Sequence, residues 1–269
     1  MTGTEYAVIA GVIFLAACLQ ASTGFGMGML AAPVVAMVDP MLLPATLILL
    51  ALLVTILVTV RERQHLDLRG TGWALMGRIP GSFLGAWLVA VLSKEGLAWV
   101  VVVVVLTGLV LALRGWAPRP VRVNLIAAGA ASGIMGTATS IGGPPMALVW
   151  QGHQGSRLRG TMSAFFMVGS AISLASLGVA GAVTAEILTL ALWMVPAVLG
   201  GYLASRLVNR FLNAARLRML ALGASALGSL LLTGQLTLAA VQPGLGVGGD
   251  APDPDVPSSA AGPSLEAPR

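Results

Sequence analysis

The sequence predicts an all-α polytopic membrane protein made of two inverted repeats, each a broken-helix hairpin followed by three transmembrane helices, about eight to ten membrane segments in all. Three observations point there. The composition is overwhelmingly apolar, two glycine-rich stretches interrupt otherwise apolar segments, and one internal register relates those stretches and the helices behind them.

Of 269 residues, 57% are hydrophobic and 9% charged. The mean hydropathy of +0.92 lies far outside the range of soluble domains. Apolar runs such as 41–60 and 97–113 approach or reach the ~20 residues that a helix needs to cross ~30 Å of hydrocarbon. The net charge of +5 would suit nucleic acid, but the arginines are scattered through short loops with no aromatic interleaving. They read instead as a topology signal, so no nucleic-acid partner is expected. A lone Cys18 inside an apolar stretch offers neither a disulfide framework nor a thiolate metal site, and packing is its expected role.

The first apolar segment, 6–20, has the length of a signal peptide but no basic n-region, since Glu5 is its only charge, and it runs straight into a glycine motif. It reads as a retained segment. That motif, Ala21 to Pro33 (ASTGFGMGMLAAP), leads into apolar segments at 29–38, 41–60, 72–92 and 97–113. The second half opens with 123–137 and then the most irregular stretch of the chain, Gly133 to Gln151 (GIMGTATSIGGPPMALVWQ). Segments at 146–150, 161–180, 187–205 and 217–240 follow. Residues 242–269, rich in Pro, Gly, Ala and Asp, read as a disordered tail behind a membrane domain of residues 1–241.

A shift of 116 positions lays Thr23 on Thr139, Gly26 on Gly142, Pro80 on Pro196, Gly85 on Gly201 and Lys94 on Arg210. The repeats so defined cover about 5–113 and about 122–240. Arginines cluster at Arg61, Arg63 and Arg69, at Arg114, Arg119 and Arg122, at Arg157 and Arg159, and at Arg206, Arg210, Arg216 and Arg218. The positive-inside rule makes these regions cytoplasmic, with Asp39, Lys94, Glu95 and Glu186 external. Each hairpin then starts and ends on one side, three crossings invert the second repeat, and both termini fall outside the cell membrane. Whether the hairpin arms stop at the midplane or cross fully stays open at this level.

Non-helical backbone survives in a membrane only where protein or a water-filled cavity surrounds it. The stretch from Thr137 to Gly143 is expected to be such a place, with Pro144 opening the next helical arm. The hydroxyls of Thr137, Thr139 and Ser140 and the N–H groups of Gly142 and Gly143 would surround a positive helix end. Such an end favours an anion by up to ~2 kcal/mol when partly buried. The first motif supplies Ser22, Thr23, Gly24, Gly26 and Gly28 in the same role, made bulkier and more apolar by Phe25 and Met27. Close helix packing by small residues is the competing reading, weaker at the second motif because packing needs no double proline. For Pro80, Gly85, Pro196 and Gly201, kinks and packing are the better reading.

Apart from Arg218 at the very start of 217–240, Arg78 is the only basic residue within a predicted span, about nine residues or ~13 Å beyond Arg69 along a helix. It is a candidate either for attracting substrate or for snorkelling to the interface. No carboxylate lies in the middle of a span, with Glu62 and Asp67 assigned to a cytoplasmic loop, which disfavours a carboxylate proton relay. Coupling would instead use the membrane potential or Na⁺ held by backbone carbonyls. His65 and His153 fall in loops, His153 reading as solvated, there is no H-E-x-x-H, and no βαβ pattern surrounds Gly24-Phe25-Gly26-Met27-Gly28. Neither an enzyme, a cofactor nor a resident metal is expected. The predicted function is secondary transport of a small anion, with an anion channel or a non-transporting membrane assembly protein as alternatives, and with lipid and further copies of the chain as the other partners the sequence admits.

The paired motifs, Gly24-Phe25-Gly26-Met27-Gly28 with Pro33 and Gly136-Thr137-Ala138-Thr139-Ser140-Ile141-Gly142-Gly143-Pro144-Pro145, give a chain that resembles the sulfite exporter TauE/SafE family over roughly residues 5–240. The second motif matches the family well; in the first, Met27 stands where the family tends to have an unbroken glycine run. What the resemblance implies is transport of small sulfur-containing or related organic anions, such as sulfite or sulfonates, across the plasma membrane.

Overall fold

A computed structural model describes residues 3–38, 43–113, 118–153, 155–211 and 234, and the elements formed by them are helical throughout. The long helices are α1 (Gly3–Thr23), α3 (Ala45–Arg61), α4 (Leu68–Val91), α5 (Lys94–Leu113), α6 (Arg122–Thr139), α8 (Gly155–Val179) and α9 (Ala185–Phe211). Two shorter ones, α2 (Met27–Val38) and α7 (Gly143–Val149), follow α1 and α6, and a 3-10 turn at Arg63–His65 precedes α4. Each predicted apolar segment up to 187–205 overlaps a helix. The predicted segment 217–240 and the tail 242–269 lie outside the described residues.

Among the described residues, α1, α4, α8 and α9 are long and apolar enough to cross a membrane. The hairpins are lopsided. Their first arms have 21 and 18 residues, but α2 has 12 and α7 only seven, or ~10 Å of rise, so neither second arm spans ~30 Å of hydrocarbon.

Both breaks are narrower than expected. Helix α1 continues through Ser22 and Thr23 and stops where Gly24 takes φ +90°, with Gly26 at +112°. Helix α6 continues through Thr137 and Thr139 and stops where Ser140 takes φ +64°. The two ends share their hydrogen bonding at the 116-residue spacing. Gly24 N–H donates to Gln20 O and Ser140 N–H to Gly136 O. Phe25 N–H reaches Thr23 Oγ1 at 3.4 Å and Ile141 N–H reaches Thr139 Oγ1 at 3.2 Å, while those hydroxyls bond the carbonyls of Leu19 and Met135. The hydroxyl of the last residue of each helix thus closes its end.

Helices α4 and α6 run parallel in close contact, since a Cβ at Gly77, Gly81 or Gly129 would overlap the carbonyl of Ile126, Ala130 or Ala74. Helices α1 and α9 also run parallel, with Gly201 against Phe14 and the Tyr6 hydroxyl donating to Trp193 O at 3.0 Å. Gly85 and Gly201 are therefore packing positions, as expected. Helices α3 and α8 are antiparallel, joined where Arg159 donates to Glu62 at 3.0 Å.

One end of the bundle gathers the ends of six helices. There Asp67 before α4 faces His153 before α8, Arg122 of α6 lies over Trp73 of α4, and Arg61 and Arg206 both lie over Tyr202 of α9. Arg61 also donates to Ala21 O at the end of α1. Glu62 lies in the connection between α3 and α4, as expected, and is buried between Arg61 and Arg159. One sequence reading is corrected here. His153 is half-buried, beside Asp67 and stacked at 17° on Trp150, rather than solvated.

Candidate functional site

The two breaks lie side by side, so close that a Cβ at Gly28 would overlap the Ser140 carbonyl. A cavity of about 30 Å³ opens between them, walled by Gly26 and Gly28 on one side and Ser140, Gly142 and Gly143 on the other. Arg78 enters from α4, while Gln20 of α1, Ile48 of α3 and Phe166 of α8 complete the wall.

Arg78 does not snorkel. It points into the bundle and is 2% exposed, because α6 offers it a bond and α8 leaves it room. Nη1 donates to Ser132 Oγ at 2.8 Å, and the guanidinium carbon lies 5.0 and 5.3 Å from the ring centres of Phe165 and Phe166. One helical turn past Phe165, Gly169 provides the space, since a Cβ there would overlap Arg78 Nε. Nε itself has no hydrogen-bond partner among the described residues. The carboxylates of Glu62 and Asp67 are engaged elsewhere, and among the described residues none pairs with Arg78. A buried cation with no counter-ion among the described residues is a costly arrangement, which makes Arg78 a candidate functional residue.

The predicted site residues divide into two groups. Arg78, Ser140, Gly142, Gly143, Gly26 and Gly28 meet at the cavity. Ser22, Thr23, Gly24, Thr137, Thr139 and Pro144 do not line it. Thr23 and Thr139 close the helix ends, Thr137 Oγ1 bonds Ser173 Oγ at 2.7 Å, and Pro144 is buried in the first turn of α7. Ser140 Oγ is engaged as well, donating to Pro44 O at 2.9 Å. With only seven residues, α7 contributes a weak dipole, and the full positive charge at the site is that of Arg78.

Sequence reasoning passed over Gln20 and Ser132. Gln20 Oε1 accepts from Met27 N–H and its Nε2 donates to Ala51 O, both at 3.1 Å, which pins the start of α2 against α3. A polar amide at the end of an apolar run was the available signal. Ser132 accepts from Arg78 and donates to Gly142 O at 2.7 Å, so one hydroxyl ties the cation to the second break. Nothing in the local sequence marks it among the small residues of α6.

Helices long and apolar enough to span a membrane, packed around a small cavity with a buried cation in its wall, define a multi-pass membrane protein. The family comparison agrees: the chain matches the sulfite exporter TauE/SafE family over residues 9–232 and belongs to it, a family of membrane transporters. Searches of curated proteins and of solved structures gave no match.

Proposed function

We propose that this protein is a secondary transporter that carries a small oxyanion, sulfite or a sulfonate, across the plasma membrane, with the anion held against the Arg78 guanidinium between the two helix breaks. The observation that carries this is the buried, unpaired charge of Arg78 at the cavity wall. A guanidinium is suited to planar or tetrahedral oxyanions because it offers several N–H donors in a fixed fork. The family supports sulfur oxyanions as the class.

We also infer that the halves are inverted repeats that rock against each other to alternate access. Support comes from paired directions. Helices α4 and α9 each run parallel to the first helix of the other half, and α3 and α8, equivalent at the 116-residue spacing, are antiparallel. Gly85 contacts Gly133, Ile134 and Thr137, and Gly201 contacts Phe14, Ala17 and Cys18, so Gly133 and Ile134 recur as Ala17 and Cys18. The arginine-bearing end is cytoplasmic in this reading. The cavity has room for one or two water molecules, so a sulfite-sized anion requires the breaks to move apart, as access to either side would.

Proteoliposomes containing the protein test this. Labelled sulfite uptake should saturate and be accelerated by unlabelled sulfite on the opposite side, and Arg78→Gln should abolish both; non-saturating flux without counterflow would reject a transporter.

A further inference from the structure

Between the N-terminal ends of α4, α6 and α8 lies a second cavity of about 480 Å³, walled by Arg69 and Trp73, Arg122 and Leu125, and His153 and Arg157. It is ~13 Å from the central cavity, measured along α4 from Arg69 to Arg78. Its charge is strongly one-sided. Arg69, Arg122 and Arg157 take part in no ion pair among the described residues. The single carboxylate in the wall, Asp67, is already engaged: Oδ1 accepts from Gly70 N–H at 2.9 Å and caps α4, and Oδ2 faces His153 Nε2 at 3.9 Å. Three long helices of 24, 18 and 25 residues direct their positive ends here. The Arg122 guanidinium is held over the Trp73 ring, 4.7 Å from its centre, and so is placed in advance.

The rim distinguishes this cavity from a vestibule for a soluble ion. Leu68, Val121 and Val123, next to Arg69 and Arg122 in sequence, are 70, 51 and 73% exposed. Aliphatic side chains facing outward beside cations and a tryptophan are the composition of a helix end at the lipid headgroup level. Basic clefts between transmembrane helices on the cytoplasmic side accept anionic headgroups.

We propose that this cleft binds the phosphodiester of an anionic phospholipid, its oxygens on Arg69, Arg122 and Arg157 and its acyl chains along Leu68, Val121 and Val123. The site stands apart from the central cavity and rests on the chain spanning a membrane with its arginine-bearing end cytoplasmic. Delipidated protein in non-ionic detergent is the test, with short-chain phosphatidylglycerol, phosphatidylcholine and inorganic phosphate compared at one concentration by thermal unfolding and native mass spectrometry. Phosphatidylglycerol alone should remain bound and raise the unfolding midpoint by about 5 °C. The shift should vanish in Arg122→Gln/Arg157→Gln, shrink in Arg157→Gln alone, and survive in Arg78→Gln, which separates this site from the transport site. An equal shift with phosphatidylcholine, or a full shift retained by both cleft variants, would overturn the proposal. A shift with inorganic phosphate alone would overturn it in favour of a soluble anion.

Discussion

Arg78 reaches the backbone of the second helix break through Ser132: its Nη1 donates to Ser132 Oγ at 2.8 Å, and that hydroxyl donates in turn to Gly142 O at 2.7 Å. The charge and the irregular backbone are therefore linked through one hydroxyl. Ser132→Ala removes both bonds and leaves Nη1 only the long contact to Ser132 O at 3.4 Å. The expected cost is about 1–3 kcal/mol of stability with a raised KM for transport. Thermal unfolding and flux kinetics check this, and an unchanged KM would disconnect Ser132 from the site.

Gly169 and Gly28 hold the site open in different ways. Gly169→Ala places a methyl where Arg78 Nε sits, and should lower anion flux at least ~10-fold by displacing the guanidinium. Gly28→Ala drives the two breaks apart at Ser140, and should destabilise the protein as well as slow it. Flux per folded molecule, measured beside unfolding midpoints, separates the two effects.

The inverted arrangement makes a labelling prediction. In a Cys18→Ala background, cysteine at the exposed Gln64 should react with impermeant reagent only from the cytoplasm, and cysteine at the exposed Ser93 only from outside. A cysteine added in 242–269 should label from outside. Labelling of positions 64 and 93 from the same face would refute the orientation.

His153 gives the protein a pH dependence. Burial and then the nearby Arg157 push its pKa below the usual 6.5, against an opposing pull from Asp67. Because the folded state prefers the neutral ring, stability is complete above about pH 6.5 and declines as pH falls from there toward the depressed folded value. His153→Gln should flatten that decline between pH 7 and the acidic side of the transition in unfolding midpoints measured across the range. An equally steep decline in the variant would assign it to other groups.

Much of this was legible in the sequence. Apolar length located nearly all the described helices, and the 116-residue spacing located two helix ends that share the same threonine closure at Thr23 and Thr139. Six of the twelve site residues reached the cavity. The others did not because a side chain's direction depends on helix phase: Thr137 lies on the face of α6 turned to Ser173, and Thr139 is used by its own helix end. The role of Arg78 was only half visible. Its depth follows from counting residues, but its inward turn depends on Ser132 and Gly169, 54 and 91 positions away, which no local pattern connects to it. The burial of the loop carboxylate Glu62 was not visible because its partner Arg159 is 97 positions distant.

The central claim is that Arg78 is kept for an anion and not for the fold. A buried ion without a counter-ion costs stability, so Arg78→Met, which fills the same space without charge, should leave the unfolding midpoint unchanged or raised. Sulfite flux in proteoliposomes should fall about 100-fold or more in the same variant. The most direct measurement is that pair of values on one preparation of Arg78→Met. A stable protein without flux is the predicted result; full flux with the charge removed would contradict the account.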